Sequence, residues 1–168
     1  MANSSLVIQA KNDILIALQN DERIVEALDL HDDESAEDLI GVRLFPHWFV
    51  PETQETVKTY ICVEAGIDAL EISRASTVNE KVYDIATIKV YVISHQNDLY
   101  MNKAGVSAIR TDYLSCLIDE KLSGSTDFGL GTLQRISNNP FSLKDNIYRY
   151  REIVFRAYDF NDDMCEVL

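Results

Sequence analysis

Several things are missing from this chain, and each absence narrows the field. A membrane-spanning helix needs roughly 18 or more consecutive apolar residues. No such run exists here, so no membrane partner is expected. Residues Met1–Ser5 carry neither the basic segment nor the apolar stretch of a signal peptide. The cysteines number three: Cys62, Cys116 and Cys165. None is close to another in sequence, whereas a disulfide framework or a zinc site wants paired spacings. Ordinary reduced thiols are expected, with Cys62 and Cys116 buried as small hydrophobes.

Catalytic signatures are missing too. His31, His47 and His95 lie far apart and not at the spacing of a two-histidine helical motif. No G-x-S-x-G elbow occurs. Three glycines crowd residues 124–131, yet neither the P-loop nor the G-x-G-x-x-G spacing follows, so a flexible turn is expected there. Asp29, His31 and Asp33 alternate as in a calcium loop. The turn glycine and the twelfth-position glutamate are absent, and histidine is a poor calcium ligand. No catalytic residue, cofactor or metal is therefore assigned, and no enzyme is expected.

Positive charge is the remaining shortage. The formal net charge is −13, which argues against a broad grip on nucleic acid. The imbalance is local. Residues 1–40 hold ten acids against two bases, and residues 131–160 hold five bases against three acids. One end is acidic and the other mildly basic, as head-to-tail contact between identical subunits would use.

What is present is hydrophobic patterning. With 168 residues and a hydrophobic fraction of 46%, the chain can close a core of its own. Residues 4–28 read as helical, started by Ser4 or Ser5, and either interrupted at Asn20-Asp21, which would cap a second short helix over Glu22–Leu28, or continuous with a bend there. Residues 29–38 read as a solvated acidic loop or a frayed helix end. Leu39–Val50 is aromatic and proline-punctuated, so an extended arm or short edge strand fits. Trp48 and Phe49 within it either plug the domain's own core or anchor a subunit interface.

Thr59–Leu70 follows as a strand, with a bulge expected at Gly66. In Tyr83–Ser94 the face Ala86-Ile88-Val90-Val92 is wholly apolar and should meet the core helix. The opposite face, with Lys89 and Tyr91, should meet water or a neighbour. Val106, Ile109, Tyr113, Leu114, Leu117 and Ile118 recur at helical spacing, which predicts a helix over about 103–123, stopped by a left-handed Gly124. Leu133–Ser137 reads as a short strand, Asn138-Asn139-Pro140 as a turn, and Tyr148–Tyr158 as the closing strand.

The fold class expected is α+β in a single domain, 1–168. Helical residues 4–28 come first, then an acidic loop and aromatic arm over 29–58. Residues 59–158 supply a mostly antiparallel sheet of about four strands with a central helix on one face. A mobile tail, 159–168, ends the chain.

This order of elements resembles that of the tail terminator (tail completion, head-to-tail joining) proteins of long-tailed bacteriophages. The likeness runs from the N-terminal helix through Phe45-Pro46, Thr59-Tyr-Ile-Cys-Val, Tyr83–Ser94 and helix 103–123 to the Tyr148–Phe160 strand. It implies a virion protein, assembled in the host cytoplasm, that forms a ring, usually of six subunits, on the last ring of the tail tube. Its partners would be itself, the tail tube protein and neck or connector proteins, with DNA passing through without specific binding. The acidic insert and the aromatic segment 44–49 depart from that pattern and leave a neighbouring neck role open. An acidic DNA mimic and a small enzyme are the rivals from other classes. For the ring, candidate interface residues are Arg149, Arg151, Arg156, Trp48 and Phe49. Arg149 and Arg151 would meet carboxylates of the adjoining subunit.

Overall fold

The computed structural model describes residues 4–51, 55–72, 81–103, 105–143 and 147–158, with backbone alone for 69–72 and 81–84. Helix α1 spans Ser4–Gln19 and helix α2 spans Glu22–Leu28. The break falls at Asn20-Asp21 because Asp21 caps the second helix, accepting from the N–H groups of Arg23 at 3.1 Å and Ile24 at 3.4 Å. Val7, Ala10, Ile14, Leu15 and Leu18 form the buried stripe of α1, and Ile24, Ala27 and Leu28 that of α2.

Five strands follow in the main sheet: β1 (Leu44–Phe45), β2 (Thr59–Ile72), β3 (Lys81–His95), β6 (Gln134–Phe141) and β7 (Tyr148–Ala157). Their order across the sheet is β1-β2-β3-β7-β6. The pair β1-β2 is parallel and the other pairs are antiparallel. The α+β class holds. The expected four strands become five because the arm contributes the two-residue edge strand β1.

One register row crosses the whole sheet: Leu44, Ile61, Val92, Arg151 and Pro140 lie side by side on successive strands. The hydrogen-bonded ladder of β2 and β3 runs on to Ile72 and Lys81, past the last β3-β7 pair at Ala86 and Ala157.

Ala86, Ile88, Val90 and Val92 are all buried on the helical side of the sheet, as their alternation predicts. They join Ile153 and Phe155 of β7 and the α1 stripe in one core. Helix α3, Arg110–Leu122, supplies Leu114, Leu117, Ile118 and Leu122. It starts seven residues later than the spacing suggests. Strands β4 (Tyr100–Lys103) and β5 (Val106–Ile109) occupy the expected first turns as a separate hairpin. The reason is Gly105, whose φ of +77° turns the chain sharply where a helix could not continue. Val106 and Ile109 thus match a helical stripe by accident, and Ile109 is exposed. Gly124, at φ +79°, does end the helix as expected.

Other expectations change for local reasons. Gly66 pairs with Thr87 in unbroken register, so it makes no bulge. The register shift falls instead between Arg135 and Ser137. Asn138-Asn139-Pro140 is not a turn. It belongs to β6, an outermost strand, where a proline's missing donor costs no ladder bond. Residues 124–131 are no loose link, because Phe128 and Leu130 are buried in the core. Reciprocal closure comes from Gly124 N–H on Leu133 O at 2.7 Å and Leu133 N–H on Ser125 O at 3.0 Å. Cys62 is buried as expected, but Cys116 faces outward from α3 and is exposed. The connection 73–80, the tail 159–168 and Cys165 lie outside the described residues.

Candidate subunit interface

The arm that carries Trp48 and Phe49 folds across the sheet face opposite the helices. Phe45 and Phe49 stack with ring centroids 4.0 Å apart and 9° between planes. Trp48 stands edge-on to Tyr91 at 4.7 Å and stacks on Tyr150 at 5.7 Å. Phe141 of β6 completes the group, 5.1 Å from Tyr150. These rings, with Tyr60, Cys62, Ile93 and Tyr148, form a second, smaller core. Geometries of this kind add to simple area burial. Both Trp48 and Phe49 are half-buried and spend much of their surface within their own chain.

The β3 face expected to meet water is therefore divided. Tyr91 is 8% exposed beneath Trp48, whereas Lys89 is exposed. Burial pushes the hydroxyl of Tyr91 above its ordinary pKa, and that of Tyr148 up to about 12.

The arm is held in place by the acidic loop, which is only partly solvated. Glu34 is buried against Arg43 and Lys58, with N–O distances of 2.6 and 2.7 Å. Arg43 also donates to Thr59 O at 2.9 Å. Hydrogen bonds from the Arg43 guanidinium hold the Glu34 carboxyl far below the usual carboxylate range. Sequence patterning could not place this group, since Glu34 looks like any other acid in the run 29–38. A second clasp joins Arg110 to Asp98 at 3.2 Å and to Asp29 at 3.6 Å. Arg110 also donates to Ala27 O, filling a carbonyl left open at the end of α2. Lys103 pairs with Asp29 and holds its carboxyl low.

The three candidate arginines do not gather. Arg156 lies on the aromatic side of β7, and its buried Nε has no hydrogen-bond partner among the described residues. Arg149 and Arg151 lie on the helical side. Arg151 is engaged in its own chain, 3.0 Å from Ser115 Oγ and 3.6 Å from Asp112. Arg149 is exposed and makes no ion pair among the described residues. It borders an open groove of about 380 Å³ whose walls include Ile109, Pro140, Phe141 and Tyr150. Among the described residues no three His, Cys, Asp or Glu side chains cluster as metal ligands. Among those residues, too, no helix is long and apolar enough to cross a membrane.

A family model described as YomW matches residues 12–157. The chain belongs to the YomW family. That match begins inside α1 and ends on the last residue of β7, so it spans the whole sheet and the clasped loop. Among curated proteins none matches the chain. Among solved structures, a chain in "Virion of native gene transfer agent (GTA) particle" is similar in fold at 14% sequence identity. The likeness covers 88% of this chain and 91% of that one, with a TM-score of 0.50.

Proposed function

We propose that this YomW-family chain is a structural protein of a phage-like virion, forming a ring at the head-proximal end of the tail. The observation that carries the reading is the fold likeness to a chain of a gene transfer agent virion, which extends over nearly the full length of both chains. The ring would stop growth of the tail tube and offer a surface to the head. Hexameric closure is the form implied by the resemblance to tail terminators. The role is structural and not enzymatic.

The physical chemistry of the chain is consistent with that role. Identical subunits meeting through unlike surfaces make a ring when the rotation closes. The two outermost strands, β1 and β6, supply such unlike surfaces. A net charge of −13 lets DNA pass a lumen without sticking, because like charges repel phosphates.

The test is electron cryomicroscopy of the protein mixed with tail tubes of the same particle. The expected result is one closed ring capping one tube end. A ring seated on the portal instead would assign the neighbouring neck role. A protein that ignores both, and binds a DNA-processing enzyme in a salt-dependent way, would replace the reading with DNA mimicry.

A further inference from the structure

The two ends of the sheet differ in chemistry, and the differences are complementary. At the β1 end, Gln19 stitches the loop to the last turn of α1. Its side chain donates to Glu37 O at 2.9 Å and accepts from Leu39 N–H at 3.0 Å and Ile40 N–H at 3.2 Å. Ile16, one turn back, is 47% exposed, Ile40 is 42% exposed and Val42 is 43% exposed. Glu37 and Asp38 are exposed beside them. This corner is a small aliphatic knob with two carboxylates at its rim.

The β6 end carries an open groove lined by Leu99, Ile109, Thr111 and Pro140 and bordered by Arg149, while the rings of Phe141 and Tyr150 are committed to the aromatic core on the other face. Arg151, also in the groove, is offset by Asp112, so among the described residues Arg149 carries the groove's unpaired positive charge. The knob and the groove stand at one level. Leu44 and Pro140 are the two ends of the row that runs through Ile61, Val92 and Arg151. Four strand spacings separate them, about 19 Å.

From this we infer that the Ile16-Ile40-Val42 corner of one copy seats in the Arg149-bordered groove of the next. Glu37 and Asp38 then face Arg149 across the contact. The occupant of the groove is a second copy of this chain, because the charges and apolar surfaces match end to end. The inference rests on the ring reading and names the surfaces that would close it. Sheets of successive copies would follow one another around the ring with β6 beside the neighbour's β1.

The experiment has two arms, both read on the full chain assembled on tail tubes. Arg149→Glu should weaken assembly by about tenfold or more, since like charges then oppose. Adding Glu37→Lys and Asp38→Lys in the same chain should restore it. Separately, Ile40→Cys with Arg149→Cys, in a Cys116→Ser, Cys165→Ser background, is treated with a short bis-maleimide. A ladder of covalent oligomers is expected from the double variant and none beyond dimers from either single one. Circular dichroism checks that each variant folds. If rings form normally and neither arm responds, the copies meet elsewhere. The inference then falls while the ring stands. If the parent protein itself never forms a ring, both fall together.

Discussion

Glu34 and Arg43 form a two-point ion pair inside the protein. Arg43 Nε donates to Oε1 at 2.8 Å and Nη2 donates to Oε2 at 2.6 Å, with both side chains buried. Lys58 Nζ adds a third donor at 2.7 Å. Through Lys58 and the Arg43 bond to Thr59 O, this group ties the loop before β1 to the start of β2, and so holds both ends of the arm.

Removing one partner leaves a buried charge without compensation, which typically costs about 3–5 kcal/mol. Glu34→Gln is therefore expected to lower stability by that order. The pH dependence follows from the lowered pKa of Glu34. Its contribution is complete above the ordinary value of 4.5 and is lost as pH falls from there toward the folded-state value. Thermal melts between pH 3 and 7 should fall steeply for the parent below pH 5. They should fall less for Glu34→Gln. Parallel curves would mean that the pair does not govern acid lability.

Ile88 stands fully buried in the centre of the larger core, between β2 and β7. Ile88→Ala should cost about 2–5 kcal/mol in denaturant unfolding. Ile88→Asp should prevent folding near neutral pH, because a lone buried carboxylate has no partner there. A variant Ile88→Asp that melts like its parent would contradict the placement of this face.

How far the sequence could be read depends on the length of each pattern. The strand over 81–95 was legible because Ala86 through Val92 alternate without interruption over a full element. The break at Asp21 was legible because a capping carboxylate leaves a local signature. The hairpin 100–109 was not. Val106 and Ile109 satisfy a three-residue spacing by coincidence, and only the positive φ of Gly105 separates turn from helix. The burial of Glu34 depends on Arg43 and Lys58, which fold brings together and composition does not mark. At the candidate interface, charge and aromaticity mark five residues in the sequence. Arg149 lies at the exposed groove, but Arg151 and Trp48 have partners in their own chain. Ile40 and Val42, at the other end of the row, carry no mark in the sequence, because an exposed aliphatic looks there like a core one.

Trp48 is the single tryptophan of the chain, so its fluorescence reports on the arm alone. The arm packs on Tyr91 and Tyr150 of two different strands. It should therefore unfold with the sheet, and fluorescence and circular dichroism should give one coincident denaturant transition. Trp48→Ala should shift that transition to lower denaturant by an equivalent of about 3 kcal/mol. An earlier fluorescence transition in the parent would make the arm an independent unit, released before the sheet melts.

The thiols should divide by location and not by number. Burial pushes the Cys62 thiol up to about 12, so its thiolate is scarce at neutral pH. Its Sγ points toward Phe49 O at 3.9 Å, under the aromatic arm. Cys116 faces solvent from α3. In a Cys165→Ser variant, a disulfide reagent at pH 8 should modify Cys116 rapidly in the folded protein. Cys62 should react only after denaturant is added. Because the arm covers Cys62, Trp48→Ala should also speed its modification, and the ratio of the two rates measures arm opening. Equal reactivity of both thiols in the folded parent would show that the arm does not shield Cys62.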